Sequence, residues 1–250
     1  MIDLTGRVAL VTGSSRGIGA GIARVLAEYG ADIAVNYVSG REQAEGVAAQ
    51  IQALGRRTHI VHADVTDLDA VQQMVADVEQ ALGPISILVN NAGKNNLKNI
   101  MDITQEDWDW TLNLNLKSYF LCSKAVLPGM IARQHGHIIN ITSISGQRGG
   151  LSCDVDYSAA KAGIMGFTRA LARWAAPQGV LVNAVAPGYF DTGWEQRADP
   201  ERVQRLVETI PLRRFGLVEE IGEIVAFLCG PGGNYIVGEV ITANGGAHIA

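Results

Sequence analysis

The sequence predicts an α/β protein in which helices cover both faces of one doubly wound parallel β-sheet. Short apolar runs such as 7–11 and 85–89 alternate regularly with longer helical segments, which is the pattern of βαβ units. The runs are apolar on both faces, as expected of parallel strands buried between two helical layers. Glycine is abundant, at 29 of 250 residues, and many glycines stand at the junctions between these segments.

In the first half of the chain, four strands are predicted at 7–11, 31–36, 58–62 and 85–89. The helices between them are expected to end near Gly30, Gly55 and Gly83, since glycine commonly follows the last turn of a helix. Asp67 is expected to cap the third helix. The carboxyl ends of parallel strands meet at one edge of the sheet, where ligands bind in such folds.

In the second half, a long helical region is predicted from Thr104 to about Leu127, ending at Pro128-Gly129. Three further strands at 137–142, 180–185 and 239–242 bring the sheet to seven, with helices at 157–176 and 218–229 between them. The polar segment 191–206 is expected to form a flap over the site. We predict a single domain, residues 1–250, that carries every functional site of the chain.

Composition excludes several classes of function. The net charge is −5 with no basic block, which argues against nucleic acid as a main partner. No apolar stretch approaches the roughly 18 residues of a membrane span, and the first residues lack the pattern of a signal peptide. Three scattered cysteines (Cys122, Cys153 and Cys229) suit free thiols in a reducing compartment. We therefore expect a cytoplasmic location, and the spacing of histidines and cysteines indicates no metal site.

The segment 12–19 joins the first strand to the first helix and contains Gly13, Gly17 and Gly19. Glycines there allow a tight turn and let the backbone approach a pyrophosphate at the positive end of the helix. The alternative is a glycine turn without a ligand. The strand before it and the helix after it favour dinucleotide binding.

The end of the second strand predicts which dinucleotide binds. A carboxylate there would bind the ribose 2′-hydroxyl of NAD, but the strand ends in Asn36-Tyr37, and Asp32 lies at its start. Arg16 and Arg41 are instead suited to a 2′-phosphate, unless they are simply solvated. We therefore predict that NADP(H) is preferred over NAD(H).

Tyr157 and Lys161 are one turn apart on a predicted helix. A phenol has a pKa of roughly 10, and a nearby ammonium lowers it. Reaching about 7 requires roughly 4 kcal/mol, which a second cation such as an oxidised nicotinamide ring would help to supply. Tyr157 is then a candidate proton donor and acceptor for a carbonyl/alcohol pair; alternatively both are ordinary helix residues. Ser143, at the end of the fifth strand, is either a donor to the same carbonyl or a turn residue.

Taken together, these motifs resemble the classical short-chain dehydrogenase/reductase family over the whole chain. In order, the motifs are Thr12-Gly13-x-x-x-Gly17-x-Gly19, Asp64, Asn90-Asn91-Ala92-Gly93, Asn115, Ser143, Tyr157-x-x-x-Lys161 and Pro187-Gly188-x-x-x-Thr192. Each alone is weak, but their order and spacing together are highly specific. The resemblance implies a Rossmann fold with a seven-stranded parallel sheet and an extended NAD(P)(H) groove.

The resemblance also implies roles for individual residues. Tyr157 would be the acid/base, Lys161 would lower its pKa and hold the nicotinamide ribose, Ser143 would orient the substrate carbonyl, and Asn115 would support a water-linked proton path to Lys161. The implied cofactor-binding residues are Gly13, Ser15, Arg16, Gly17, Ile18, Gly19, Asn36, Tyr37, Asp64, Val65, Asn91, Ala92, Gly93, Tyr157, Lys161, Pro187, Gly188, Phe190 and Thr192.

Within the family, the chain is most similar to 3-oxoacyl-(acyl-carrier-protein) reductases, as in 135–141 and 157–169. This implies reduction of a 3-oxoacyl thioester, acyl carrier protein as a candidate partner, and a homotetramer. Gln134 and Gln178 replace the usual basic residues of that type, and 94–96 (Lys-Asn-Asn) departs from its usual Thr-Arg-Asp. The alternatives are a dehydrogenase of a sugar, polyol or other small alcohol, and a nucleotide-sensing protein without catalysis. Such a sensor would be expected to lack Tyr157, Lys161 or Ser143.

Overall fold

The computed structural model describes residues 1–150, 154–193 and 198–249. The strands are β1 (Val8–Val11), β2 (Asp32–Tyr37), β3 (Thr58–His62), β4 (Ile85–Asn90), β5 (Gly136–Ile141), β6 (Val180–Pro187), β7 (Phe190–Asp191), β8 (Gly216–Leu217) and β9 (Val240–Ala243). Seven of them form one parallel sheet in the order β3-β2-β1-β4-β5-β6-β9, and β7 pairs with β8 separately. The predicted fold class and seven-stranded sheet are confirmed.

The helices cover both faces of the sheet. They are α1 (Gly17–Glu28), α2 (Arg41–Ala53), α3 (Leu68–Leu82), α4 (Gln105–Leu112), α5 (Ser118–Ala132), α6 (Ser145–Arg148), α7 (Val155–Ala175), α8 (Pro200–Thr209) and α9 (Val218–Cys229). As predicted, the Asp67 side chain caps α3 by accepting a hydrogen bond from the backbone N–H of Ala70 at 2.9 Å. None of the helices in the described ranges combines the length and apolar character that a bilayer crossing requires.

Two apolar cores lie on opposite faces of the sheet. Successive residues of a strand point to opposite faces, so Ala9 and Val11 of β1 pack with α1, α2 and α9, whereas Val8 and Leu10 pack with α3, α5 and α7. All four side chains are almost completely buried. Burial on both faces explains why the strand sequences are apolar throughout and not alternating.

The helical region after Thr104 differs from the prediction. It is interrupted by a π-helical turn, Asn113–Lys117, and its second part passes through Pro128 to Ala132. The predicted stop near Leu127 is therefore wrong. Proline removes a backbone donor and crowds the carbonyl four residues earlier. Met130, in the turn after Pro128, is nevertheless fully buried in one core with residues of β5 and β6, and this packing holds the turn in place.

The chain reverses the direction in which it adds strands at β1, which lies between β2 and β4. Such a switch point opens a crevice at the carboxyl ends of the strands. The loops that begin at Thr12 and Asn91 meet there. We call the side of the sheet where the strands' carboxyl ends meet the carboxyl edge, and the opposite side the amino edge.

Two predicted features fall partly outside the described residues. Residues 194–197 of the expected flap, including Trp194, lie outside them, as does Cys153. The described remainder of the flap contains Asp191, at the end of β7, and the start of α8, which is capped by the side chain of Asp199.

Candidate active site

A groove of about 860 Å³ runs along the carboxyl edge. The predicted site residues that line it are Gly13, Ser15, Arg16, Gly17, Ile18, Gly19, Asn36, Tyr37, Asp64, Val65, Asn91, Ala92, Gly93, Ser143, Tyr157, Lys161, Pro187, Gly188 and Thr192. Phe190 and Asn115 do not line it. Phe190 is buried in the apolar core, where its ring lies against Gly216.

The glycine loop has the backbone that its sequence predicts. Gly13 and Gly17 have φ of +62° and +57°, the left-handed region that favours glycine. A Cβ on Gly19 would lie 2.5 Å from Nδ2 of Asn91, so a larger residue would displace that side chain. Helix α1 begins with neither a side-chain cap nor an acidic residue in its first turn. Its first N–H groups and positive dipole end are therefore available to an anion such as a pyrophosphate.

Thr12 and Asn91 lock the loops after β1 and β4 together. The Thr12 hydroxyl accepts hydrogen bonds from the N–H groups of Asn91 (2.9 Å) and Ala92 (3.0 Å). In return, Nδ2 of Asn91 donates to the carbonyls of Thr12 (2.9 Å) and Gly13 (3.2 Å). The two sides of the groove therefore form one hydrogen-bonded unit.

Asn36 holds the far end of the same unit. Its Oδ1 accepts from the N–H of Gly13 at 3.0 Å and its Nδ2 donates to the carbonyl of Ala63 at 3.1 Å. Asp64 is used similarly, since its Oδ1 accepts from the N–H and the hydroxyl of Thr66. Both side chains shape the end of the groove through contacts with the protein itself.

Arg16 reaches the end of β2, where a 2′-phosphate would lie. Its Nη2 donates to Oγ of Ser39 at 3.2 Å, and both residues line the groove. Arg41 is not part of the lining and forms an exposed ion pair with Glu45 at 2.8 Å. Of the two arginines that the sequence offered for this position, the structure brings only Arg16 to the groove.

Asp32 lies at the opposite end of β2, on the amino edge. Its side chain is buried and accepts hydrogen bonds from Arg56 (3.2 Å) and Arg57 (2.9 Å). As the sequence predicted, β2 therefore contributes no carboxylate to the groove.

Tyr157 and Lys161 lie on one face of α7 at the middle of the groove. The Lys161 ammonium is 5.5 Å from the centroid of the Tyr157 ring and donates to the carbonyl of Ile141 (2.9 Å) and the hydroxyl of Tyr119 (3.2 Å). The helix thus presents the two side chains as the Tyr-x-x-x-Lys spacing predicts.

The protein's own groups do not make the phenol acidic. Burial raises the pKa of Tyr157 to about 12, and a hydrogen bond with Ser143 only partly offsets this. Burial also lowers the pKa of Lys161 to about 7, because low-dielectric surroundings disfavour any charged form. These shifts agree with the expectation that a second cation, such as an oxidised nicotinamide ring, is needed to bring the pKa of Tyr157 toward neutrality. With only these protein groups around it, the phenol of Tyr157 stays protonated at neutral pH.

Ser143 follows the end of β5, and its hydroxyl lies close enough to that of Tyr157 to lower the pKa of the phenol. Its Oγ also accepts from the N–H of Ser145 at 3.1 Å, which fixes the turn. Two hydroxyls from different elements are thereby held together at the groove wall. One carbonyl oxygen could accept hydrogen bonds from both.

Asn115 is fully buried behind the groove and clamps the backbone of Lys94. Its Nδ2 donates to the carbonyl of Lys94 (2.9 Å) and its Oδ1 accepts from the N–H of the same residue (3.0 Å). Nδ2 also donates to the carbonyl of Thr111. The side chain thus positions the loop after β4, and the part of Asn115 in a proton path to Lys161 stays a prediction.

Several groove residues were not found from the sequence. Lys94, Trp110, Asn113 and Leu114 line the groove, and the side chain of Trp110 is partly exposed there. Tyr119 is fully buried, and burial raises its pKa well above 10. Its only sequence signal is a tyrosine four residues after Asn115, which does not reveal a contact with α7.

Within the described ranges, no three histidine, cysteine, aspartate or glutamate side chains are grouped so as to hold a metal ion. The donor set of the groove is instead hydroxyls, amides, backbone N–H groups and three cations. Such groups suit an anionic dinucleotide and a polar substrate.

Comparison with known proteins gives a consistent result. A family model described as Enoyl-(Acyl carrier protein) reductase matches residues 13–248. The chain is 41% identical over 243 residues to the 3-oxoacyl-[acyl-carrier-protein] reductase FabG of Staphylococcus epidermidis, covering 96% of this chain and 98% of that protein. It is 40% identical over 247 residues to a 3-oxoacyl-[acyl-carrier-protein] reductase of Synechocystis sp., covering 98% of each.

Among solved structures, the chain is similar to a blue fluorescent protein from a metagenomic library, determined in complex with NADPH. The two share 39% identity with a TM-score of 0.91, over 99% of this chain and 100% of that chain. The match therefore covers the whole groove as well as the sheet.

Proposed function

The chain belongs to the short-chain dehydrogenase/reductase family, and from that premise we propose that it is an NADP(H)-dependent reductase of 3-oxoacyl thioesters. As a family member it is an oxidoreductase acting on CH–OH and ketone groups. The observation that carries the proposal is the pair of hydroxyls, Tyr157 and Ser143, held together beside the Lys161 ammonium on a dinucleotide-shaped groove.

The residues present fit a nicotinamide dinucleotide. The uncapped start of α1 and the left-handed glycines Gly13 and Gly17 form a cradle for a pyrophosphate. Arg16, held beside Ser39 where β2 ends, supports NADP(H) over NAD(H), and one similar structure was solved with NADPH. When bound, the nicotinamide would supply or accept the hydride.

The protein's own contribution is a proton and a position. Tyr157 is protonated at neutral pH because burial raises its pKa, so it is ready to donate to the oxygen of a ketone as that oxygen gains negative charge. Ser143 donates a second hydrogen bond to the same oxygen and orients it. The Lys161 amine lies 5.5 Å from the ring centroid, and in its protonated form it would stabilise the phenolate that remains.

The substrate class is supported by the relatives, which are named 3-oxoacyl-[acyl-carrier-protein] reductases at about 40% identity. On this basis acyl carrier protein is the proposed partner and fatty acid synthesis the proposed setting. In that type of enzyme, basic residues at two places form the surface on which the acidic carrier protein docks. Gln134 and Gln178 stand at these places here, so the corresponding surface is less basic. A homotetramer and a cytoplasmic location remain predictions, the first testable by light scattering.

A second candidate is a dehydrogenase of a small polar ketone or alcohol, such as a sugar. It is favoured by the loop after β4, where the cationic side chain of Lys94 lines the groove. A neutral acyl chain would gain little from an ammonium group.

The test is NADPH oxidation with a panel of 3-oxoacyl thioesters, keto-sugars and cyclic ketones. We expect rapid oxidation with a 3-oxoacyl thioester, on carrier protein or coenzyme A. Rapid turnover of keto-sugars with no thioester activity would replace the leading proposal by the second candidate. No oxidation with any of them would contradict both.

A further inference from the structure

Lys94 is an exposed cation that lines the groove beside the reacting groups. In the part of the chain that the structure describes, its ammonium has no carboxylate within 4 Å and no hydrogen-bond acceptor. Lys98, four residues on, is by contrast paired with Asp107 at 2.6 Å. Lys98 is thus paired within the protein, whereas the ammonium of Lys94 is available to a molecule bound in the groove.

The position of Lys94 is fixed by the fold. Asn115 binds both its N–H (3.0 Å) and its carbonyl (2.9 Å), and Asn115 itself lies in the π-helical turn Asn113–Lys117. Both the donor and the acceptor of one peptide segment are therefore held by one buried amide. A long, flexible side chain is thus anchored at a defined point of the groove wall.

This point is close to the reacting end. A Cβ on the preceding residue, Gly93, would lie 3.3 Å from Nζ of Lys161. Consecutive Cα atoms are about 3.8 Å apart, and an extended lysine side chain spans roughly 6 Å. The Lys94 ammonium is therefore within reach of a group bound a few bonds away from a ketone at Tyr157.

The other charged residues of the groove have assignments. Arg16 is held by Ser39 at the end of β2, Asp64 caps its own turn, and Lys161 is bound to Ile141 and Tyr119. Among the described residues, Lys94 is therefore the groove cation whose ammonium is not bound by any of these contacts. Beside it, Trp110 and Asn113 complete a polar and aromatic wall at the substrate end.

We propose that Lys94 determines substrate specificity by binding an anionic group, a carboxylate or phosphate, carried within a few bonds of the ketone. In a coenzyme A or carrier-protein thioester the nearest phosphate is separated from the ketone by the whole pantetheine arm, beyond the reach of this side chain. The anionic group would therefore be on the acyl chain of a thioester, or on a sugar. The inference rests on the proposed reductase activity and narrows either candidate substrate class to ketones that carry such a group.

The experiment compares substrates that share a ketone and differ in charge: acetoacetyl-N-acetylcysteamine with the matching 3-oxoacyl thioester whose acyl chain ends in a carboxylate, and a keto-sugar with the same sugar carrying a terminal carboxylate. We expect the wild type to favour the anionic member of each pair it reduces. Lys94→Met should lower kcat/KM for that member at least tenfold, leave the neutral member within twofold, and raise KM more than it lowers kcat. Lys94→Arg should retain most of the preference, because it keeps the charge.

Lys124→Met is the matched control, since Lys124 lies on α5 away from the groove. Its kinetics should equal those of the wild type. Equal losses of Lys94→Met on both members of a pair, or a preference of the wild type for the neutral member, would overturn the inference while the reductase activity stands. A tenfold loss of NADPH affinity in Lys94→Met would assign the lysine to the cofactor instead. Absence of NADPH oxidation with every compound would overturn the proposed function and this inference with it.

Discussion

The carboxyl and amino edges of the same sheet use their polar side chains in different ways. At the carboxyl edge, Tyr157, Ser143 and Lys94 face an open groove. At the amino edge, Asp32 accepts hydrogen bonds from Arg56 and Arg57, and Arg7 donates to the carbonyl of Cys229 at 2.8 Å. The first edge leaves hydrogen-bonding capacity for a ligand, whereas the charges of Asp32 and Arg7 at the second are bound by protein groups.

The difference predicts which property each substitution changes. A group that faces the groove contributes little to folding, because its partner in the reaction is not part of the protein. A buried charge with protein partners contributes strongly to folding stability, since removing one partner leaves the others unsatisfied. Substitutions at the carboxyl edge should therefore alter turnover or binding, and those at the amino edge should alter stability.

Tyr157→Phe should give the largest effect and the clearest case for the carboxyl edge. It removes the proton donor, so kcat should fall roughly 10³-fold, while the affinity for NADPH stays within several-fold. The free energy of unfolding should change by about 1 kcal/mol or less, the worth of one hydrogen bond. Steady-state kinetics, cofactor titration and urea unfolding measure the three quantities. Near-normal turnover would refute the acid/base role.

Asp32→Asn should give the largest effect at the amino edge. It leaves Arg56 and Arg57 facing a neutral amide, and we expect unfolding to become easier by about 3 kcal/mol, toward the lower end for a broken buried pair because Arg57 is largely exposed. Turnover at 25 °C should stay within twofold. Glu45→Gln, which breaks the exposed pair with Arg41, is the control and should unfold like the wild type. A large loss of turnover in Asp32→Asn would break the distinction between the edges.

His137 should make the amino edge sensitive to acid. It is buried in β5, and burial, with Arg7 nearby, lowers its pKa to about 4 from 6.5. The unfolded chain therefore binds a proton at His137 more readily than the folded chain does. The contribution of the neutral imidazole to folding stability is fully present above pH 6.5 and is lost as the pH falls toward 4. The loss at pH 5 should be about 2 kcal/mol.

Urea unfolding of wild type and His137→Leu at pH 8 and pH 5 measures this effect as the difference between the two proteins. Carboxylates titrate equally in both and cancel. His135, whose pKa is also lowered by burial, stays in both. Identical pH dependence of the two proteins would show that His137 does not couple folding to protons.

Arg16→Ala should give the smallest effect and sharpen the comparison within the carboxyl edge. We expect NADPH to bind roughly tenfold more weakly, about 1.4 kcal/mol, with NADH within twofold. Arg41→Ala is the control, because its side chain points to Glu45 and not to the groove; both cofactors should bind as in the wild type. Equal losses for both cofactors in Arg16→Ala would remove the basis for preferring NADP(H).

Features carried by local patterns were predictable from the sequence. Period, length and glycine position located all seven strands of the main sheet and the turn at Gly13 and Gly17. The spacing of Tyr157 and Lys161 also fixed their common face, because four residues make about one turn of any helix. These inferences need no knowledge of what packs against the segment.

Features that depend on tertiary packing were not predictable. Pro128 does not end its helix because buried residues beyond it hold the next turn. Likewise, the contact between Tyr119 and Lys161 joins two helices that no local pattern relates. The burial that raises the pKa of Tyr157 and lowers that of Lys161 was not visible for the same reason, because the sequence shows the spacing of the two residues and not what packs around them. Lys94 was visible only as a departure from a familiar triplet.

The pairing of β1 with β4 governs the order in which the protein can assemble on the ribosome. β1 emerges first, yet one of its two neighbours in the sheet is made only after two complete strand–helix units. Until then β1 presents an unpaired edge, and closing so distant a contact is slow. The nascent chain therefore exposes this edge until β4 has been synthesised, and the hydrogen bonds between Thr12 and Asn91 that join the two loops can form only after that.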